Sequence, residues 1–306
     1  MGKLINIGSL CIDRVYKVPK IATQGETVTS ASWATFSGGK GLNQSIAAAK
    51  AGASVEHVGC VGSDGDSLIA ELGKAGISSR FVKVGVAPSG HAVIQVDEEG
   101  RNSIVISAGA NRELDSELIQ DAILRLEDTD WLLLQNETNG IAEAIELAAQ
   151  KGKKVAINIA PADERMFDYP LSKVALIIVN ELEAMALSSK SSPQLAFDSL
   201  IKAYPEIDIV LTLGEEGVWS YRAKDTARKG MASFSIDATD ETAAGDSFIG
   251  YLMATLVAGR DLHESIKLAS AAGALATTTA GAVDSIPSLD AVKTLAGEQE
   301  LKELEL

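Results

Sequence analysis

The 306-residue sequence has few of the features on which several common functions depend. Its two cysteines, Cys11 and Cys60, are too few for a disulfide framework and favour a reducing compartment. No apolar run approaches the roughly 18 residues of a membrane span. The N-terminus, MGKLINIGSL, lacks the basic and apolar segments of a signal peptide. We therefore expect a cytoplasmic protein with no membrane partner.

Histidine and basic charge are also scarce. The three histidines, His57, His91 and His263, lie in unrelated contexts, so their spacing indicates neither a histidine-based metal site nor a Ser/His/Asp triad. Lysine and arginine total 27 against 42 acidic residues, a net charge of -15. This argues against a nucleic-acid partner, which needs a basic face. It does not exclude ATP, because local donors and a metal ion hold a nucleotide.

Apolar strand patterns alternate with helical patterns along most of the chain, as in Val55–Val61, 64–75, Trp131–Gln135 and 139–151. This rhythm predicts an α/β fold, a doubly wound parallel sheet with helices on both faces. We expect one domain over residues 1–306.

Two β-rich insertions, at about 14–37 and 89–107, interrupt the alternation. They predict a small separate sheet that acts as a lid over a cleft or as a dimer interface. The tail, 288–306, predicts a solvated amphipathic helix.

Ligands of such sheets bind beyond the carboxyl ends of the strands. Polar residues are expected at several of these ends, and Asp13 follows a predicted strand over Leu4–Leu10. A turn or cap aspartate is the alternative at that position. The other residues in this position are Glu137, Asn180 and Thr212.

The segment Asp240–Gly250, DETAAGDSFIG, is a small-residue loop that opens a helix. The backbone N–H groups of Ala243–Asp246 would face an anion, for which phosphate is the usual occupant. Asp246 at the rim could accept a proton from a hydroxyl that attacks the held phosphoryl group. The alternative is that Asp246 only caps the helix.

Three further motifs carry chemistry. In Ser37–Ala53, beginning SGGKGLNQ, glycines permit close backbone approach and Lys40 and Asn43 start a helix, which fits a polyhydroxy ligand or a plain glycine-rich turn. Asn180 and Glu183 could order a hydrated Mg²⁺ or could simply begin a helix. Thr212–Gly217, TLGEEG, could flank a nucleotide or form a hairpin.

These motifs together make the whole chain resemble the ribokinase family, the PfkB-type carbohydrate kinases, and ribokinase most of all. The resemblance is carried by GSLCID, SGGKGLNQ, NELE and DETAAGDSF, in this order, with TLGEEGVW as a fifth match. It implies a ribokinase-like fold whose β lid often forms a homodimer interface. It also implies transfer of the γ-phosphoryl group of Mg-ATP to a sugar hydroxyl.

The resemblance further implies roles for individual residues. Asp246 would be the general base, and the anion hole would consist of Ala243, Ala244, Gly245 and Asp246. The sugar would be held by Asp13, Gly39, Lys40, Asn43, Glu137 and Asp246, with Cys11 beside them. The nucleotide side would comprise Asn180, Thr212, Gly214, Gly217, Gly245 and Ser270. Asn180 and Glu183 would order Mg²⁺ through water, and a monovalent cation, K⁺, would lie among Asp240, Thr242, Ala276, Thr279, Gly281 and Ser285.

Cys11 departs from the family pattern, which has asparagine in the substrate-contacting segment. A thiol is a weak hydrogen-bonding group, and losing one polar partner can shift specificity strongly. The acceptor is therefore open among ribose, a deoxysugar, another pentose or hexose, or a nucleoside. The alternatives to a sugar kinase are a nucleoside kinase of the same superfamily and a non-catalytic sugar- or nucleotide-binding regulator. The presence of Asp246 argues against the regulator.

Overall fold

A computed structural model of the chain describes residues 2–298 and 303–304. The strands are β1 Lys3–Ile7, β2 Cys11–Lys17, β3 Ser32–Gly38, β4 Ser54–Val61, β5 Ser78–Val84, β6 Gly90–Val96, β7 Asn102–Ser107, β8 Trp131–Gln135, β9 Lys154–Asn158, β10 Leu176–Asn180, β11 Asp208–Thr212, β12 Val218–Arg222, β13 Ala227–Met231 and β14 Glu303–Leu304. The helices are α1 Lys40–Lys50, α2 Asp66–Lys74, α3 Ser116–Leu124, α4 Ile141–Gln150, α5 Glu181–Ser188, α6 Pro193–Ala203, α7 Ala244–Val257, α8 Leu262–Ala276 and α9 Leu289–Glu298.

The large sheet has ten strands in the order β14-β13-β12-β11-β10-β9-β8-β1-β4-β5. The seven strands from β11 to β5 are parallel, and β12, β13 and β14 form an antiparallel edge. Neighbouring residues of β8 alternate between two apolar cores, since Leu133 packs with α1 and α7, and Leu132 and Leu134 pack with α3 and α4. The prediction of a doubly wound parallel sheet is therefore confirmed.

The small sheet is separate, with four strands in the order β3-β2-β6-β7. It contains both predicted β-rich insertions, but it begins at Cys11 rather than at residue 14. The predicted strand Leu4–Leu10 is wrong at its end, because β1 stops at Ile7 and the chain crosses to the small sheet. Asp13 is therefore the third residue of a small-sheet strand. The apolar pattern continues through Leu10 and so hides this crossing.

Other boundaries differ from the sequence prediction. The helix expected over about 262–280 ends at Ala276, where the Thr277 and Thr278 hydroxyls donate back to carbonyl groups of the last turn. The tail forms α9, but its residues 303–304 pair with β13 instead of continuing a helix. The rest of the predicted tail helix, 299–302 and 305–306, lies outside the described residues. Within the described part of the chain, every helix is too short or too polar to cross a membrane.

Helices α1 and α7 are in close contact in front of the large sheet. A Cβ at Gly250 in α7 would lie 2.3 Å from Ala47 Cβ and 2.7 Å from the Ala48 nitrogen. Only glycine therefore permits this approach. The contact places the side chains in the first turns of α1 against those in the first turn of α7.

Gly250→Ala should lower the free energy of unfolding by about 1–3 kcal/mol, because overpacking forces the two helices apart. The control is Gly73→Ala in α2, where a new Cβ would contact nothing within 4 Å. Alanine there should raise helix stability by up to about 1 kcal/mol. Urea unfolding of both variants measures the difference, and equal stabilities would contradict the proposed tight contact.

Candidate active site at the carboxyl edge of the large sheet

An unusual turn precedes α7. Ala243 has φ 60°, a left-handed conformation that is uncommon for a residue other than glycine. The Ala244 N–H donates to the Glu241 carbonyl oxygen at 3.2 Å, so this predicted anion donor is engaged. Across the described residues, no acceptor is found for the backbone N–H groups of Ala243, Gly245 and Asp246. Three donors at a helix N-terminus thus remain available to an anion.

Two amide side chains of α1 hold the Asp246 carboxylate. Asn43 Nδ2 donates to Oδ2 and Gln44 Nε2 donates to Oδ1, each at 2.9 Å. The buried Asn43 Oδ1 has no partner among the described residues, which leaves it able to accept from a ligand hydroxyl. Asn43 is the fourth residue of α1, whose N-cap is Gly39. Gln44 was not among the predicted site residues, although a glutamine inside a buried helical run was a usable signal.

Three carboxylates and one lysine converge beside Asp246. Burial, Glu137 and Asp246 raise the pKa of Asp13 to about 6. Glu137 accepts hydrogen bonds from the Lys40 backbone N–H at 3.0 Å and from the Ser9 hydroxyl. Burial lowers the pKa of Lys40, but Asp246, Glu137 and Glu183 outweigh it and raise that pKa overall. The cluster offers both acceptors and a cation to a polar ligand.

Cys11 lies at the start of β2, opposite Gly38 and Gly90. Its buried Sγ is 3.4 Å from Asn111 Nδ2, and the Asn111 side chain also bonds both backbone groups of Leu10. Burial, followed by the charges of Glu137 and Asp13, raises the pKa of the Cys11 thiol. The thiol is therefore protonated at neutral pH. Asn111 was missed because it lies in a short turn, Gly109–Arg112, far away in the sequence.

A cleft of about 220 Å³ connects Asp246 with the ends of β9, β10 and β11. It brings together most of the predicted catalytic and nucleotide-side residues, and it adds Asn158 and Glu241, which were not predicted. Of the predicted catalytic and nucleotide-side residues, Ala244, Gly214, Gly217 and Ser270 do not line this cleft. The polar and small residues that line it are Lys40, Asn158, Ala160, Asn180, Glu183, Thr212, Glu241, Ala243, Gly245 and Asp246.

Asn180 and Glu183 form a reciprocal cap at the start of α5. Asn180 Oδ1 accepts from the Glu183 N–H at 2.8 Å, and Glu183 Oε2 accepts from the Asn180 N–H at 2.9 Å. Burial raises the pKa of Glu183, and Asp246 and Glu181 add to this, while the Asn180 N–H and Lys40 oppose it. In the described part of the chain, no three His, Cys, Asp or Glu side chains are grouped to hold a metal ion. This donor set fits Mg²⁺ that is held mainly by phosphates and water.

The TLGEEG segment is a tight turn between β11 and β12, as its hairpin interpretation predicted. Gly217 has φ 116°, and a Cβ there would lie 2.1 Å from the Met231 carbonyl oxygen. Thr212 donates to the Val179 carbonyl oxygen at 3.5 Å. Thr212 lines the cleft, and Ser270 lies on α8.

Most residues of the predicted monovalent-cation site lie in two loops that contact each other. Asp240 Oδ2 accepts from the Gly281 N–H at 2.9 Å, and Asp240 Oδ1 accepts from the Thr242 hydroxyl at 2.6 Å. The Ser285 hydroxyl is 3.4 Å from the Thr242 carbonyl oxygen. The Ala276 carbonyl oxygen accepts from the Thr279 N–H at 3.4 Å. Carbonyl, hydroxyl and carboxylate oxygens are thus gathered beside the start of α7.

The chain belongs to the pfkB family of carbohydrate kinases, whose family model matches residues 1–289. Its relatives include a ribokinase from Haemophilus influenzae, 35% identical over 92% of this chain and 94% of the relative. A deoxyribokinase from Salmonella typhi is 31% identical over 93% and 95% of the two chains. The structure of a ribokinase from Cryptococcus neoformans in complex with ADP has a TM-score of 0.85 and 28% identity, covering 96% of this chain and 99% of that one. The family resemblance is confirmed.

The raised pKa of Asp13 predicts a pH-dependent stability. Its charged form is disfavoured in the fold, so from about pH 4 to pH 6 the folded protein retains a proton that the unfolded chain has lost. This group therefore lowers stability progressively as pH rises through that window. Asp13→Asn should become more stable than the wild type, by up to about 3 kcal/mol above pH 6.

Urea unfolding of Asp13→Asn and the wild type at pH 4, 5, 6 and 7 measures this difference. A stability difference that stays constant across these pH values would contradict the buried, crowded position of the Asp13 carboxylate.

Proposed function

We propose that the protein is an ATP-dependent sugar kinase that transfers the γ-phosphoryl group to a sugar hydroxyl, with Asp246 as general base. The observation that carries this proposal is the placement of Asp246 beside three unengaged backbone N–H groups, at the junction of the two polar clusters. One cluster contains Asp13, Lys40 and Glu137, and the other contains Asn180 and Thr212. The ADP complex of a 28% identical ribokinase supports the use of a nucleotide.

The two clusters define separate roles in the reaction. On the lid side, Asp13, Asn43 and Glu137 bind sugar hydroxyls, as carboxylate and amide groups do well. Asp246 accepts the proton of the attacking hydroxyl, a role worth typically about 10²–10⁴ in rate. The N–H groups of Gly245 and Asp246 stabilise the charge that develops on the phosphoryl oxygens.

The nucleotide side is formed by Asn180, Thr212 and the TLGEEG turn, with Ser270 beyond them. Mg²⁺ would be ordered through water by Asn180 and Glu183 and would neutralise phosphate charge. K⁺ would lie between the loops at Asp240 and Gly281, where its charge would support the anion site electrostatically.

We also propose that the small sheet serves as a lid and as a homodimer interface. Its exposed apolar residues include Trp33 and Val105, which are 63% and 66% exposed and lie on the same face of the sheet in the paired register. An apolar patch of this kind commonly marks an interaction surface. A dimer mass in light scattering that is lost in Val105→Asp would support this assembly.

We place the enzyme in the cytoplasm, where its two unpaired thiols remain reduced.

Asp246→Asn should lower kcat by at least about 10²-fold, because the amide cannot accept the hydroxyl proton. ATP affinity should stay within a few-fold of the wild type, since the N–H donors remain. ADP release and calorimetric titration with ATP measure the two effects. Normal turnover in this variant would contradict the role of Asp246 as a base.

We propose that the residues around Cys11 influence which acceptor is phosphorylated. An ADP-release screen of ribose, deoxyribose, other pentoses, hexoses and nucleosides, each with and without K⁺, identifies it. We expect a sugar to give the highest kcat/KM, and Cys11→Asn to change the ranking of the sugars by restoring a polar partner. Cys60→Ser, at the second buried thiol, is the control and should leave the ranking unchanged.

Turnover only with nucleosides would favour the nucleoside kinase. Ligand binding without turnover of any acceptor would favour the regulator.

A further inference from the structure

A chain of buried amides runs from Asp246 into the large sheet. Gln44 Nε2 donates to Asp246 Oδ1, and Gln44 Oε1 accepts from Gln135 Nε2 at 2.9 Å. Gln135 Nε2 also donates to Asn6 Oδ1 at 2.9 Å. Asn6, Gln44 and Gln135 are each 0% exposed. The proposed base is therefore connected to the centre of the fold by groups that water does not reach.

The partners of the Gln44 side chain determine which end of its amide donates and which end accepts. Its NH₂ group also lies 3.2 Å from Asn158 Oδ1, so it faces two oxygen acceptors while its own oxygen faces a donor. Flipping the amide would place oxygen against the Asp246 carboxylate. Because the flipped amide would set its oxygen against both the Asp246 carboxylate and Asn158 Oδ1, Gln44 presents its N–H bonds to Asp246.

We infer that Gln44 is a positioning residue for the phosphoryl-transfer reaction, which holds the ionised Asp246 carboxylate in the orientation that accepts the substrate proton. This inference rests on the proposed function of Asp246 as base. Asn43 donates to the other oxygen of the Asp246 carboxylate. Its own Oδ1 has no partner among the described residues and can also accept from a ligand hydroxyl, so the role of Asn43 is not confined to Asp246. Gln44 is fully buried, and its amide is occupied by protein groups alone, so its effect on the reaction passes through Asp246.

The charged surroundings of Asp246 make this orientation important. Asp13 from β2, Glu137 after β8, Glu183 from α5 and Lys40 from α1 all act on Asp246 or on its neighbours. Three of these four groups are acidic, so like charge crowds the space around the Asp246 carboxylate. Donors that bond only the charged form of a carboxylate counteract this repulsion.

The experiment compares Gln44→Met and Gln44→Glu with the wild type on the best acceptor from the screen. Gln44→Met should lower kcat by about 10–10²-fold with KM for the sugar within about threefold, because a misplaced reacting group costs rate rather than binding. The acid limb of the pH–rate profile should move to higher pH. Gln44→Glu, which keeps the shape, should move this limb further, because two adjacent carboxylates share a proton.

Gln120→Met, at an exposed glutamine of α3, is the matched control and should behave as the wild type. A kcat loss with an unmoved acid limb in both Gln44 variants would show a merely structural role and overturn the inference. A change confined to KM, or wild-type kinetics, would also overturn it. Asp246→Asn tested in parallel separates the two proposals: if that variant retains turnover, the base assignment fails first and the role of Gln44 fails with it.

Discussion

The close contact between α1 and α7 is the constraint on which the candidate site depends. It exists because Gly250 offers no side chain to Ala47 and Ala48, so the two helices approach until their backbones nearly touch. The approach sets the distance between the first turns of the helices. One of these turns carries the amides that bond Asp246, and the other carries Asp246 itself. A separation larger by the length of a methyl group would break both hydrogen bonds.

Electrostatics gives the site a second organising feature. The chain carries a net charge of -15, yet its candidate site concentrates further carboxylates around one lysine. The cost appears in the raised pKa of Asp13, and the compensation appears in N–H donors aimed at Asp246 and Glu137. Such opposed charges are typical of sites where a ligand supplies the missing partners. The acidic cluster suits hydroxyl groups. The backbone N–H groups of Ala243, Gly245 and Asp246, which have no acceptor among the described residues, suit an anion such as phosphate.

The sequence predicted most of the architecture because its local patterns and its tertiary structure agree. The strand Trp131–Gln135 was placed correctly, since a short apolar run that is buried on both faces has little alternative. The start of the small sheet was misplaced, because the chain leaves β1 at Ile7 without any change in apolar pattern. Asn111 and Gln44 were missed for a similar reason. Their significance lies in what they contact, about 100 and 200 residues away along the chain.

The sequence by itself determined the fold class, the order of the motifs and the chemical types at the site, because these depend on periodicity, on glycine and on helix-start signals that act over a few residues. Only the tertiary structure decided which oxygen of Asp246 faces which amide, that Cys11 packs against Asn111, and that the Ala244 N–H is already engaged. These facts depend on how distant elements meet. Hydrogen bonds and burial act over a few ångströms, and no local pattern encodes them.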